Sequence, residues 1–176
     1  SVAIVREREK GTIEQLIVSP IAPYELILGK VLPFMGIGFI DVIIILLVGT
    51  FWFKVPIRGS IPLLLLLSLL FLSNTLGMGI LISTISRTQQ QAMMTTFFLI
   101  MPWILLSGFI FPIENMPEVI QYITYLIPLR YFLVIIRGIA LKGSGLSMLW
   151  QQALAMILLG GAILTFSIFR FNKRLD

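Results

Sequence analysis

The sequence predicts an all-α membrane protein: four transmembrane helices, a cytoplasmic amphipathic helix and external re-entrant or interfacial helices. Three observations predict it. Hydrophobic residues make up 58% of the chain and charged residues 12%, against roughly 25% charged in a soluble domain. The apolar residues gather into blocks long enough to cross a bilayer, and the basic residues flank those blocks. A small soluble domain leaves much of its surface in water and could not hide so much apolar area; a bilayer removes that demand.

A spanning helix needs about 20 apolar residues, each adding ~1.5 Å across a hydrocarbon core of ~30 Å. Residues 25–53, 61–86, 92–111 and 148–169 qualify. A short turn, Lys54-Val55-Pro56-Ile57-Arg58-Gly59-Ser60, separates the first pair, and a polar loop, Arg87-Thr88-Gln89-Gln90-Gln91, the second. A longer connection of mixed character, residues 112–147, precedes the last span, and the tail, residues 170–176, is basic. Residues 1–5 are apolar and stop at Arg6, which reads as the end of an earlier span. The chain is therefore expected to be one transmembrane domain, 1–176, truncated at its N-terminus. Four spans put both ends on one side. With that side cytoplasmic, Arg6, Arg8, Lys10, Lys30, Arg87, Arg170, Lys173 and Arg174 lie inside. Lys54, Arg58, Arg130, Arg137 and Lys142 then lie outside. The positive-inside rule favours this orientation.

The outer connection begins with Pro112. Asn115-Met116-Pro117-Glu118 reads as a helix start, with Asn115 as cap, Pro117 in the first turn and Glu118 at the positive end of the dipole. Val119, Ile120, Ile123, Leu126 and Ile127 then form an apolar stripe that Pro128 stops. Residues 129–142 form a second piece, carrying Arg130 and Arg137. Neither piece is long and clean enough to span, so both read as interfacial or re-entrant.

Asp41 lies near the middle of the first span, where a charge costs roughly 2.5–3.5 kcal/mol. It is expected to face the bundle interior, to be protonated or to find a partner. The alternatives are a contact on a substrate path and a packing hydrogen bond to Asn74 or Thr75. The second span also carries Ser68, Ser73, Gly77 and Gly79, residues that let helices approach and hydrogen-bond in lipid. With no cysteine and no histidine, disulfides, Cys/His zinc sites, Cys nucleophiles and Ser-His-Asp triads are excluded. No catalytic residue and no metal site is expected; Glu114 and Glu118 form an acidic pair, and capping accounts for Glu118. The net charge of +5 points to anionic lipid headgroups rather than nucleic acid.

Residues 6–23, REREKGTIEQLIVSPIAP, carry most information. Thr12 with Gln15 matches a capping box, so a helix begins at Thr12. Ile13, Leu16 and Ile17 share one face, and Pro20 ends the helix. Taken alone, this is a short amphipathic helix at the cytoplasmic end, resting on lipid or docking a partner. The mixed charges of Arg6, Glu7, Arg8, Glu9 and Lys10 favour a partner, since a lipid anchor gains nothing from acidic residues.

The segment resembles the cytoplasmic coupling helix of the type-two ABC exporter permeases, the bacterial drug and natural-product efflux type. GFIFPIENMP, residues 108–117, and IPLRYFLVIIRGIALKG, residues 127–143, resemble that family's external re-entrant region, in the family's order. The resemblance implies an ATPase-coupling set of Glu7, Arg8, Glu9, Gly11, Thr12, Ile13, Glu14, Leu16 and Ile17. It also implies an external region involving Pro112, Asn115, Pro117, Glu118, Pro128 and Arg137. ATP and Mg²⁺ would be bound by a separate cytoplasmic ATPase, with no cofactor in this chain; no G-x-x-x-x-G-K-[ST] loop occurs here. A second permease chain would pair with this one, in the bacterial inner membrane. The competing readings are an ATP-independent channel or secondary transporter, a membrane-embedded enzyme and a structural membrane protein. The first expects more ionisable residues at membrane depth and leaves REREKGTIEQL unexplained.

Overall fold

The computed structural model describes Val5 and residues 23–172. The described residues are helical or loop, with no strand among them. The elements in order are α1 (Pro23–Phe51), α2 (Ile61–Ile85), α3 (Gln89–Leu106), a 3₁₀ turn (Ile113–Asn115), α4 (Glu118–Thr124), α5 (Pro128–Lys142) and α6 (Leu146–Asn172). The coupling segment lies outside the described residues, apart from Pro23.

The apolar blocks predicted where helices occur, and local chemistry sets their ends. Ser60 caps α2 by accepting from the Leu63 amide at 3.4 Å, with Pro62 in the first turn. At the far end of α2, the Ser86 amide bonds the Ile82 carbonyl. The third helix differs from its expected limits of 92–111. It starts earlier because Thr88 accepts from the Gln91 amide at 3.1 Å while Gln91 Oε1 accepts from the Arg87 amide at 2.8 Å. These reciprocal caps draw the glutamines into the first turn. The helix stops at Leu106 because Gly108 turns left-handed at φ +86° and the Ser107 hydroxyl takes the Phe109 amide at 3.3 Å.

Three helices are long and apolar enough to cross a membrane: Val31–Phe51, Ile61–Ile85 and Leu146–Ser167. A fourth is reached if α4 and α5, whose axes meet at 82°, count as one bent span. The 18 residues of α3 reach roughly 27 Å at ~1.5 Å per residue, just short of the hydrocarbon core.

The packing is uneven. α6 lies along α2, and α5 folds over both. Leu64 and Leu67 of α2, Phe132, Ile135 and Ile139 of α5, and Leu149, Ala153 and Met156 of α6 form the main core. Phe71 stacks on Phe132 with ring centroids 4.2 Å apart. α1 touches α2 along one face only and is otherwise exposed. The turn at residues 54–60 sits at the same end as α5, tied there by the Arg58 amide donating to the Ala140 carbonyl at 3.0 Å. That end carries nearly all the irregular structure; the opposite end carries the α2–α3 turn.

Two details of the connection differ from expectation. Asn115 is not a helix cap: it closes the 3₁₀ turn, and Pro117 occupies the cap position with no side-chain bond. The turn uses the Pro112 and Ile113 carbonyls to satisfy the Asn115 and Met116 amides, which places Asn115 one turn too early. Pro128 does not stop the first piece either. α4 ends at Thr124, and Pro128 begins α5, where its missing amide costs nothing and its fixed φ suits the first turn.

Candidate functional site

Three groups of residues hold the polar chemistry of the bundle. The first lies at membrane depth. The Asn74 amide is buried and donates to Leu70 O at 2.9 Å and, across the interface, to Met156 O at 3.1 Å. It fits because Gly160 of α6 has no side chain: a Cβ there would stand 3.0 Å from Asn74 Nδ2. One turn on, Gly77 lets α6 approach, and Ser167 reaches its carbonyl at 3.4 Å. Asn74 thus pins α2 to α6. Thr75 is exposed and bonds its own helix, donating to Phe71 O at 3.1 Å. Asp41 meets neither of them. Its side chain is exposed, beside the face of α1 that meets α2, where Gly38, nearly one turn earlier, lies so close that a Cβ would stand 2.9 Å from Leu72.

The second group is at the loop-rich end. Arg137, exposed, donates to the Gly108 carbonyl at 3.2 Å and so holds the end of α3 to α5. Arg130 does more than sequence reasoning suggested. Half-buried, it bonds the Thr124 hydroxyl and the Gln121 carbonyl and lies 3.9 Å from the Tyr125 ring centroid. One guanidinium fixes the bend between α4 and α5. The signal was a lone arginine just past an X-Pro break, without its partners. Glu114 and Glu118 are exposed and only two residues of the chain separate the 3₁₀ turn from α4. Pro112 precedes the turn as its cap residue.

The third group is at the opposite end. Val5, fully buried, packs with Ile82 and Ala92, and with Met78 and Leu99 beside them. Along α3 runs an open groove of about 570 Å³ lined by Thr88, Gln90, Gln91, Met94, Thr95, Phe98 and Leu99. Nothing in the sequence singled this groove out, since its lining reads as ordinary membrane helix after a polar loop.

Residues 1–141 match the ABC-2 type transporter family. The chain belongs to that family. ABC-2 membership accounts for an all-helical, multi-span chain. Among similar proteins is the probable multidrug ABC transporter permease YbhS of Escherichia coli, 40% identical over all of this chain and 47% of the relative. The probable multidrug ABC transporter permease YbhR of the same organism is 37% identical over 86% of this chain and 41% of its own length. ABC transporter G family member 23 of Dictyostelium discoideum is 31% identical over 89% of this chain and 22% of the relative. The chain spans about half the length of the bacterial relatives it matches. No solved structure matches it.

Proposed function

We propose that this ABC-2 chain forms part of the membrane-spanning permease of an ABC exporter, which moves substrate with energy from ATP hydrolysed on a separate cytoplasmic subunit. One observation carries the reading: ABC transporter permeases align with this chain along 86–100% of its length at 37–40% identity. The chain itself is a transport subunit, and ATP and Mg²⁺ belong to the ATPase. A second permease chain pairs with it across the transport path, in the bacterial inner membrane.

Residues 6–23 are the ATPase contact. Val5 packs at the α2–α3 turn, and Pro23 opens α1 at the end away from the turn at residues 54–60. Both flanks of the segment therefore lie at the end opposite the loop-rich one, which supports a cytoplasmic coupling helix there. α3 serves as the fourth span, its short apolar stretch completed by the Arg137 tether at the external end.

Burying a leucine side chain contributes roughly 1.5–3 kcal/mol, and an exposed ion pair roughly 0–1. Leu16→Asp therefore weakens ATPase docking more than Glu7→Ala or Arg8→Ala. Co-purification of the full-length permease in mild detergent, followed by ATPase assay, tests both claims. Equal losses for all three variants would refute the ranking. A native preparation with no ATPase would overturn the permease reading in favour of an ATP-independent transporter.

A further inference from the structure

We infer that Val5 is the residue through which movement of the ATPase-coupling segment reaches the α2–α3 pair. This rests on the permease reading above and adds to it a positioning residue that is no part of the ATPase contact. Val5 immediately precedes residues 6–23. It is fully buried where α2 meets α3, packed with Ile82 of the one and Ala92 of the other. Met78 and Leu99 flank this cluster, one from each helix. Val5, Ile82 and Ala92 are 0%, 4% and 0% exposed, so no further part of a full-length permease comes between them.

The described flanks of the segment attach it to the bundle in two ways that differ in stiffness. Downstream, the chain enters α1 at Pro23. Pro20 and Pro23 each lack the amide that a helix running on into α1 would need, so the segment cannot push α1 as one continuous rod. Upstream, Val5 is held by close-packed side chains, and packed interiors yield little and pass displacement on. The α2–α3 connection has no slack to absorb it. Only Ser86, Arg87 and Thr88 separate the two helices. The reciprocal caps of Thr88 and Gln91 brace that turn, and Ser86 is fully buried within it. Farther along α2, the Gly77 carbonyl accepts from Ser167 of α6, and Asn74 donates to the Met156 carbonyl. With α2 held to α6 in this way, a displacement entering at Val5 changes the position of the near end of α3.

The test uses the full-length permease with its ATPase, in phosphatidylcholine nanodiscs. Spin labels are attached to cysteines introduced at Gln90 of α3 and Phe166 of α6, both exposed at this end of the bundle. Double electron–electron resonance reads their separation with and without Mg-ATP and orthovanadate, and singly labelled controls remove distances between permease copies. The native complex is expected to shift on trapping with nucleotide. Val5→Ala is expected to lose at least half of that shift, with the nucleotide-free distance, the ATPase bound and its hydrolysis rate unchanged. Adding Ala92→Val to Val5→Ala returns the lost methyl groups from the other side of the contact and is expected to restore the shift. A full shift in Val5→Ala overturns the inference, as does a native complex with active ATPase whose distance does not move. A changed nucleotide-free distance or a lost ATPase in Val5→Ala would show Val5 filling the fold or docking the partner, and would overturn it too. So would a double variant that stays as defective as Val5→Ala. Each of these outcomes, in a native preparation with active ATPase, leaves the permease reading standing; a native preparation with no ATPase removes that reading, and the inference with it.

Discussion

Gly59 is where the turn after α1 touches α5. A Cβ at this position would stand 2.6 Å from the Ile139 carbonyl oxygen and 2.8 Å from Ile139 Cγ2. Neither atom is free to yield. The oxygen is backbone, and it accepts the Gly143 amide at 3.2 Å in the cap of α5. The side chain is fully buried in the main core. Gly59→Ala must therefore push the turn off α5 by about half an ångström or more and strain the neighbouring Arg58–Ala140 bond. Overpacking of this kind costs about 1–3 kcal/mol. Roughly 2–4 °C per kcal/mol applies to 150–250 residues and less to a longer protein, so Tm of the full-length protein falls by at most about 12 °C. The assay is intrinsic tryptophan fluorescence during a thermal ramp of the full-length protein in detergent, using the three tryptophans of this segment among the reporters. Gly49→Ala is the control, because a Cβ at Gly49 meets nothing within 4 Å. There the helix gains roughly 0.5–1 kcal/mol from losing a glycine. Equal Tm for the two variants would refute the claim that residues 54–60 and α5 are locked by close approach.

Three other substitutions probe the same bundle. Arg130→Ala removes the hydrogen bonds to Thr124 and Gln121 and the contact with the Tyr125 ring, a loss of roughly 1.5–3 kcal/mol for bonds to a charged group; protease cleavage within residues 117–130 should rise, and unchanged cleavage would argue against Arg130 as the clamp of the bend. Asn74→Ala deletes the α2–α6 bond and costs little through the bond itself, about 0.6 kcal/mol as interhelical bonds in lipid go; Gly160→Leu, which drives a side chain into Asn74, should lower Tm further, and the reverse order would show the hydrogen bond to outweigh the packing.

Much of this protein was legible in the sequence, for one physical reason. In a bilayer each span must satisfy its own backbone, so long apolar blocks become helices whatever their neighbours do. Residues 25–53, 61–86 and 148–169 accordingly gave helices within a few residues of expectation. Errors came where short-range chemistry competes. Asn115 had the look of a cap, and Pro128 that of a stop, but the 3₁₀ turn took the first and the start of α5 the second. The Thr88–Gln91 caps were spelled out in the chain, yet a polar run beside an apolar block read as loop.

The sequence by itself determined the class of molecule, three of its long apolar helices and the family. Each depends on composition and local order along the chain. Only the tertiary structure decided which faces meet. Long-range approach depends on where small residues fall on two helices at once, as with Gly160 opposite Asn74 and Gly59 opposite Ile139. Asp41 shows the difference most plainly. Its depth was readable from the chain, but that it is exposed while Asn74 and Thr75 bond other groups followed from how α1 packs on α2.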